Sequence, residues 1–187
     1  MLYPKKINAK KGKIVIKIML LISLIIAILL YTINKIVTPT SHWAALSIAC
    51  IIYIWVTVLY ALNKNVNVAA HVLVQTIAIS ALLVYIDYIL GFEKWSLNIA
   101  IPIILMTSNM IMLLLTIISR KKYIRYVIFQ LMLCLISFTP VILISERLVE
   151  DKTLGIIAVG ISIANFIICL ILCKTDIIEE LKRKFHI

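Results

Sequence analysis

The sequence has little of what a water-soluble protein needs at its surface. Charged residues make up 14% of the 187 positions, hydrophobic residues make up 64%, and the mean hydropathy is +1.13. A soluble domain of this size covers one core with polar side chains, and here too few are present to cover it. The composition excludes a soluble enzyme, a nucleic-acid-binding domain and a secreted disulfide scaffold, and it predicts a polytopic membrane protein.

The residues that usually carry chemistry are also scarce. The three histidines are far apart, at His42, His71 and His186, and none lies in an H-E-x-x-H motif. Every cysteine falls in an apolar segment without C-x-x-C spacing; they are Cys50, Cys134, Cys169 and Cys173. No nucleophile and base stand at a usable spacing. The sequence therefore predicts a protein that is not an enzyme, with no catalytic residue, no metal ligand and no cofactor.

Six apolar stretches are long enough to cross a membrane, since a spanning helix needs about 20 apolar residues. The predicted spans are residues 16–33, 43–62, 68–90, 98–118, 127–145 and 154–173. The polar breaks between them are too short to fold into a soluble domain. The predicted fold is an all-α bundle of six transmembrane helices that forms one membrane domain over residues 1–187. Only four glycines occur in the chain, which argues against a transporter built from broken, glycine-rich helices.

The basic residues indicate the orientation of these spans. With six spans, 15 of the 19 Lys and Arg residues lie in the two tails and in the second and fourth breaks. The other four lie in the first, third and fifth breaks. Short cytoplasmic segments carry the excess of Lys and Arg, so both termini are predicted to be cytoplasmic. The net charge of +11 is then explained by topology, with no nucleic acid as a partner. The frequent Ile and Lys suggest a low-GC bacterium, and hence a multi-pass protein of its cytoplasmic membrane.

The C-terminal tail, residues 174–187, has an amphipathic pattern. Ile177, Ile178, Leu181 and Phe185 fall on one side, and the charged residues between them fall on the other. Such a segment continues the last helix, lies along the membrane surface, or docks on a partner.

Polar and small residues fall on one face of each of the last four spans, because each helical residue advances about 100°. The faces are Thr76, Ser80 and Asp87 in the third span; Asn98, Pro102, Asn109 and Thr116 in the fourth; Gln130, Cys134, Ser137 and Ser145 in the fifth; and Gly155, Ala158, Ser162, Asn165, Cys169 and Cys173 in the sixth. Polar side chains avoid lipid, so these faces are expected to turn inward. They either pack the helices together or line a polar path. The candidate polar interior is Asp87, Ser80, Thr76, Asn109, Gln130 and Asn165.

The sequence also supports three local predictions within or beside the spans. Asp87 is the one acidic residue inside a span, near the outer end of the third, and it has either a structural role at the interface or a role in an ion or proton pathway. Pro140 is expected to bend the fifth span, with the hydroxyl of Ser137 or Thr139 bonding the carbonyl that it frees. Ser96 or Asn98 is expected to cap the fourth helix.

Two motifs resemble a known family. GFEKWSLN (residues 91–98) and the closing ELKRKFHI (residues 180–187), with the basic break after the fourth span, are similar to segments of a family of small, uncharacterised bacterial six-helix membrane proteins, classed as a domain of unknown function. Family members often carry an N-terminal zinc ribbon, which this sequence lacks, so no metal role is implied. The resemblance implies the architecture and no chemistry.

The leading functional prediction is a non-enzymatic accessory or regulatory membrane component that acts by helix association. Its partners would be the lipid bilayer and either another membrane protein or further copies of the chain. The alternative is a small transporter or channel whose polar interior path includes Asp87.

Overall fold

A computed structural model describes residues 9–62, 67–118, 124–149 and 152–172. These residues are helical apart from short turns and connections, and they include six helical segments that are long and apolar enough to cross a membrane. The all-α prediction with six such segments is therefore confirmed. The amphipathic tail predicted at residues 174–187 lies outside the described residues.

Seven α-helices and one π-helical turn occur in the described residues. In chain order they are α1 (Ala9–Val37), α2 (Trp43–Ala61), α3 (Val68–Ile89), the π-helical turn (Ser96–Ala100), α4 (Ile101–Ile118), α5 (Ile124–Ile136), α6 (Thr139–Ser145) and α7 (Thr153–Leu172). The first helix begins earlier than the predicted span because its lysine-rich start is also helical. The fifth predicted span is divided between α5 and α6.

The chain separates into two compact units at Trp55, within α2. In the first unit, the Asn34 side chain organises the turn that follows α1. Its amide nitrogen donates to the carbonyl oxygens of Thr38 (2.6 Å) and Ser41 (2.8 Å), and its amide oxygen accepts from the backbone N–H of Ala44 (3.2 Å). Two carbonyls of this turn and the orphan N–H of Ala44 at the start of α2 are thereby given hydrogen-bond partners.

A second contact joins α1 and α2 within this unit. The indole N–H of Trp55 donates to the hydroxyl of Ser23 at 2.7 Å. Trp43 makes a similar bond at the turn, where its indole N–H donates to the Thr38 hydroxyl at 2.8 Å. Between these contacts α1 is apolar, and none of the residues in its most apolar window is buried.

The second unit, from Val56 onward, contains two buried apolar clusters. One consists of Ala69, Met112, Leu133 and Cys169, from α3, α4, α5 and α7. The other consists of Leu97, Ile101, Leu105 and Val149. The start of α4 therefore packs in the second cluster and its later part in the first, so this helix contributes side chains to both apolar clusters.

The fifth span is interrupted at Ser137 and Phe138, because Pro140 has no N–H to bond the carbonyl of Ile136. The hydroxyl of Thr139 donates to that carbonyl at 2.6 Å instead. The predicted bend and its hydroxyl compensation are confirmed, with Thr139 as the donor. The prediction that Ser145 faces inward is wrong: it is exposed, because α6 begins a new helical phase after the interruption.

Gly155 of α7 lies against α6. A Cβ atom built on it would lie 3.1 Å from Pro140 Cβ and 3.3 Å from Ile144 Cδ1. The absence of a side chain at this position therefore allows α7 to approach the short α6 closely. Gly160, one and a half turns further along α7, has open space around the corresponding position.

Candidate polar interior

Asn109 lies at the centre of the buried polar residues of the second unit and is fully buried. Its amide nitrogen donates to the carbonyl oxygen of Leu105 (2.8 Å) and to the hydroxyl of Ser137, which directly follows α5 (3.0 Å). Its amide oxygen accepts from the hydroxyl of Ser162 in α7 (3.3 Å), and its backbone carbonyl accepts from the amide nitrogen of Asn165 (2.6 Å). One residue of α4 thus connects two other helices.

The same face of α4 carries a further contact with α7. The thiol of Cys169 lies 3.6 Å from the hydroxyl of Thr116 and 3.6 Å from the amide oxygen of Asn165. The Thr116 hydroxyl itself donates to the carbonyl of Met112 at 2.9 Å. All of these side chains are buried, so the polar contact between α4 and α7 extends over two helical turns.

A separate pair joins α3 to α4. The hydroxyls of Thr76 and Ser108 lie 2.6 Å apart, and Thr76 also donates to the carbonyl of Val72. Ser108 was not among the predicted residues. It precedes Asn109 and so lies about 100° around α4, which turns it from α5 and α7 toward α3. When each helix is projected separately, the projection identifies its main polar face. It does not identify a residue such as Ser108, which lies beside that face and contacts another helix.

Asp87 is fully buried at the end of α3. Its Oδ2 accepts from the backbone N–H of Ser96 at 3.0 Å and from the Ser96 hydroxyl at 2.6 Å, while Oδ1 has no hydrogen-bond partner among the described residues. Ser96 begins the π-helical turn. The preceding N-cap residue, Trp95, makes no side-chain cap bond to it. The expectation that Ser96 caps this helix is therefore wrong, because its hydroxyl donates to Asp87 and the capping oxygen comes from that residue; the alternative at Asn98 stays a prediction.

The segment between Asp87 and Ser96 has an unusual backbone. Gly91, Phe92 and Lys94 have φ values of 113°, 57° and 62°. Phe92 and Lys94 carry Cβ atoms, for which the left-handed region is unfavourable. The backbone N–H of Phe92 donates to the carbonyl of Asp87 at 2.8 Å, so Asp87 bonds both ends of this segment.

Four predicted residues lie outside the Asn109 cluster, which we define as Asn109, Ser137, Ser162 and Asn165; besides Thr76 and Asp87, these are Gln130 and Ser80. Gln130 is fully buried, and within the part of the chain that the structure describes neither polar atom of its amide has a hydrogen-bond partner. Ser80 is half-buried and lines an open, mainly apolar groove of about 470 Å³ beside Tyr85 and Tyr88. The structure thus brings Asn109 and Asn165 together, and places Thr76, Asp87, Gln130 and Ser80 in other surroundings.

The chemistry of this interior is that of neutral hydrogen bonds between helices. Most of its amides and hydroxyls have partners in the same unit, and interhelical bonds of this kind contribute about 0.6 kcal/mol each in membrane proteins. Within the described ranges, no three His, Cys, Asp or Glu side chains are grouped as metal ligands would be. The arrangement is suited to fixing the packing of α3, α4, α5 and α7.

Comparison with known proteins places the chain in a family. The model of the Family of unknown function (DUF6320) matches residues 3–187, and the chain belongs to that family. The resemblance to an uncharacterised family is thereby confirmed. No curated protein and no solved structure matches the chain.

Proposed function

We propose that this member of the DUF6320 family is a multi-pass protein of a bacterial cytoplasmic membrane, with both termini in the cytoplasm, that acts as a non-enzymatic accessory or regulatory component. It associates through a transmembrane helix with a second membrane protein. The six apolar helical segments support membrane insertion, and the distribution of Lys and Arg in the sequence supports the orientation.

One observation carries the association. The first unit by itself buries none of the residues in the most apolar window of α1. Ser23 faces α2, since it accepts the Trp55 indole bond. Leu21 and Ile25 lie about 160° around the helix from Ser23, and they are 57% and 47% exposed. The face that carries them is free, within this unit, to contact a helix of another protein.

The buried contacts of the second unit support a packing role for its polar residues. In the Asn109 cluster, the amides and hydroxyls bond one another across three helices. Residues that line a polar path would instead direct these groups toward the transported species. We therefore interpret the second unit as a packed helical scaffold.

Site-specific photo-crosslinking tests the proposal in cells that express the full chain. A photoreactive amino acid replaces Leu21 or Ile25, and a matched control carries it at Ser23, on the face that contacts α2. The proposal expects one protein band of defined mass from both outward positions and none, or much less, from the control. Crosslinks to lipid alone, or to a second copy of this chain alone, would contradict association with a different membrane protein.

A small transporter or channel is the second candidate. The observation that favours it is the buried Asp87, whose Oδ1 lacks a hydrogen-bond partner. Ion and proton flux into proteoliposomes distinguishes the two functions. Flux in the wild-type protein that Asp87→Asn abolishes, and that Thr107→Val on the exposed side of α4 leaves intact, would support the transporter and contradict the accessory role.

A further inference from the structure

Gln130 has a buried side-chain amide whose capacity for hydrogen bonds is unused among the described residues. An amide has two N–H donors and an oxygen with two lone pairs, and no described residue is a partner of Nε2 or Oε1 of Gln130. The side chain is completely buried. Buried side-chain polar groups are partnered in the large majority of cases, by protein or by ordered water. The surroundings of Gln130 therefore indicate what completes its hydrogen bonds.

The helix register places Gln130 at a defined level in the second unit. Asn109 bonds Ser137, and Met112 and Leu133 share one apolar cluster, so residue numbers fall along α5 as they rise along α4. Gln130 precedes Ser137 by seven residues, which is two helical turns, or about 10 Å, on nearly the same face. The same step along α4 leads from Asn109 to Thr116.

The third helix of this arrangement repeats the spacing. Seven residues separate Ser162, which bonds Asn109, from Cys169, whose thiol lies 3.6 Å from the Thr116 hydroxyl. Two polar layers follow from this register. We name them the Asn109 layer (Asn109, Ser137 and Ser162) and the Gln130 layer (Thr116, Gln130 and Cys169). The Asn109 layer is bonded within itself, whereas the Gln130 amide is not.

The groups at the Gln130 layer define the chemistry of a ligand. Thr116 donates its proton to the Met112 carbonyl and so can still accept a hydrogen bond, while the Gln130 amide can both donate and accept. None of the three side chains in this layer carries a formal charge. The neighbouring cluster includes the small side chains Ala69 and Cys169, both completely buried. These features suit a very small, neutral molecule that both donates and accepts.

We propose that the Gln130 layer is a binding site for an internal water molecule, held between the Gln130 amide and the Thr116 hydroxyl. The water accepts from Nε2–H or donates to Oε1, and it donates to Thr116 Oγ1. It thereby connects α5 to α4 two turns from the direct bond between Asn109 and Ser137. Buried waters of this kind make about three hydrogen bonds to otherwise unsatisfied groups and belong to the folded structure.

Solid-state NMR on the full chain in lipid bilayers tests this site directly. The sequence has only two glutamines, Gln75 and Gln130, so labelling glutamine side-chain amides with ¹⁵N gives two signals, and Gln75→Glu assigns them. Magnetisation is transferred from water protons to each amide. The half-buried Gln75, which bonds Thr57, is the internal reference. We expect the Gln130 amide to receive magnetisation from water at a rate comparable with that of Gln75.

Variants of Thr116 show whether the water lies at the proposed place. Thr116→Val removes the hydroxyl with little change of volume and should lower the transfer to Gln130 by at least half while leaving Gln75 unchanged. Thr116→Ser keeps the hydroxyl and should preserve the transfer. A Gln130 amide that receives no magnetisation from water would overturn the proposal, as would transfer that is equal in the wild type and in Thr116→Val.

Discussion

A single oxygen of Asp87 accepts two hydrogen bonds from Ser96, one from its backbone N–H at 3.0 Å and one from its hydroxyl at 2.6 Å. The carboxylate at the end of α3 therefore caps the helical segment that leads into α4. Asp87 has a structural role that follows from these contacts alone, whatever else it does.

The capping contact predicts a graded loss of stability. Asp87→Ala leaves the buried N–H and hydroxyl of Ser96 without an acceptor, which should lower the free energy of unfolding by about 2 kcal/mol. Asp87→Asn retains one acceptor oxygen and should cost about half as much. Ser96→Ala removes only the hydroxyl bond and is the matched control. Unfolding in mixed detergent micelles measures all three, and equal stability of Asp87→Ala and wild type would contradict the cap.

The Asn109 cluster predicts that substitutions on the buried side of α4 lower stability, whereas substitutions on its exposed side do not. Asn109→Leu removes three side-chain bonds and leaves the Ser137 and Ser162 hydroxyls with fewer partners, so we expect a loss of about 2 kcal/mol. Thr107→Val is the control, because Thr107 is exposed and its hydroxyl bonds the Ile103 carbonyl of its own helix. It should change stability by less than about 0.5 kcal/mol. The same unfolding measurement applies, and similar losses in both variants would argue against the cluster as the interior of the unit.

The two glycines of α7 predict opposite effects of one substitution. Gly160→Ala meets no neighbouring atom and gains helix propensity, so it should stabilise the protein by up to about 1 kcal/mol. Gly155→Ala places a Cβ 3.1 Å from the Pro140 ring, which cannot turn aside, and should destabilise it by about 1 kcal/mol through overpacking. Thermal unfolding of both variants under identical conditions makes the comparison. A higher melting temperature for Gly155→Ala would show that α6 yields easily.

The distribution of basic residues predicts the topology. A fluorescent protein fused to the C-terminus should fluoresce and an alkaline phosphatase fused there should be inactive, because both report a cytoplasmic location. A fusion at Glu93, in the connection between α3 and the π-helical turn, should give the reverse. Phosphatase activity at the C-terminus would contradict the predicted orientation and the cytoplasmic location of both termini.

Much of the interior could be predicted from helical periodicity. Thr76, Asn109, Gln130 and Asn165 are buried as expected, because the faces of α3, α4, α5 and α7 follow the 100° step. The periodicity holds within a helix and fails across an interruption, as the exposed Ser145 after Pro140 shows. A sequence pattern marks Pro140 as a bend and does not give the angle by which the next helix turns.

Which side chains bond one another could not be predicted from the sequence. Nothing in the spacing of Asp87 and Ser96 indicates that they bond, since their contact depends on the left-handed backbone at Phe92 and Lys94, residue types for which that conformation is unfavourable. The helical step puts Ser80 about 40° around α3 from Thr76, on the same predicted face, yet Ser80 lines the open groove while Thr76 is buried. Tertiary neighbours decide which part of a polar face is covered.

The seven-residue spacing between the two polar layers has a consequence for how the chain can vary. Exchanging one side chain in α4, α5 or α7 alters the contacts of that residue, whereas adding or deleting one residue between the layers rotates everything beyond it by about 100°. After such a change in α4, Thr116 would face away from Cys169 while Asn109 stayed in place. Helix length between residues 109 and 116 is therefore more tightly constrained than the identity of most residues within it, and insertions that the chain tolerates should fall in its connections.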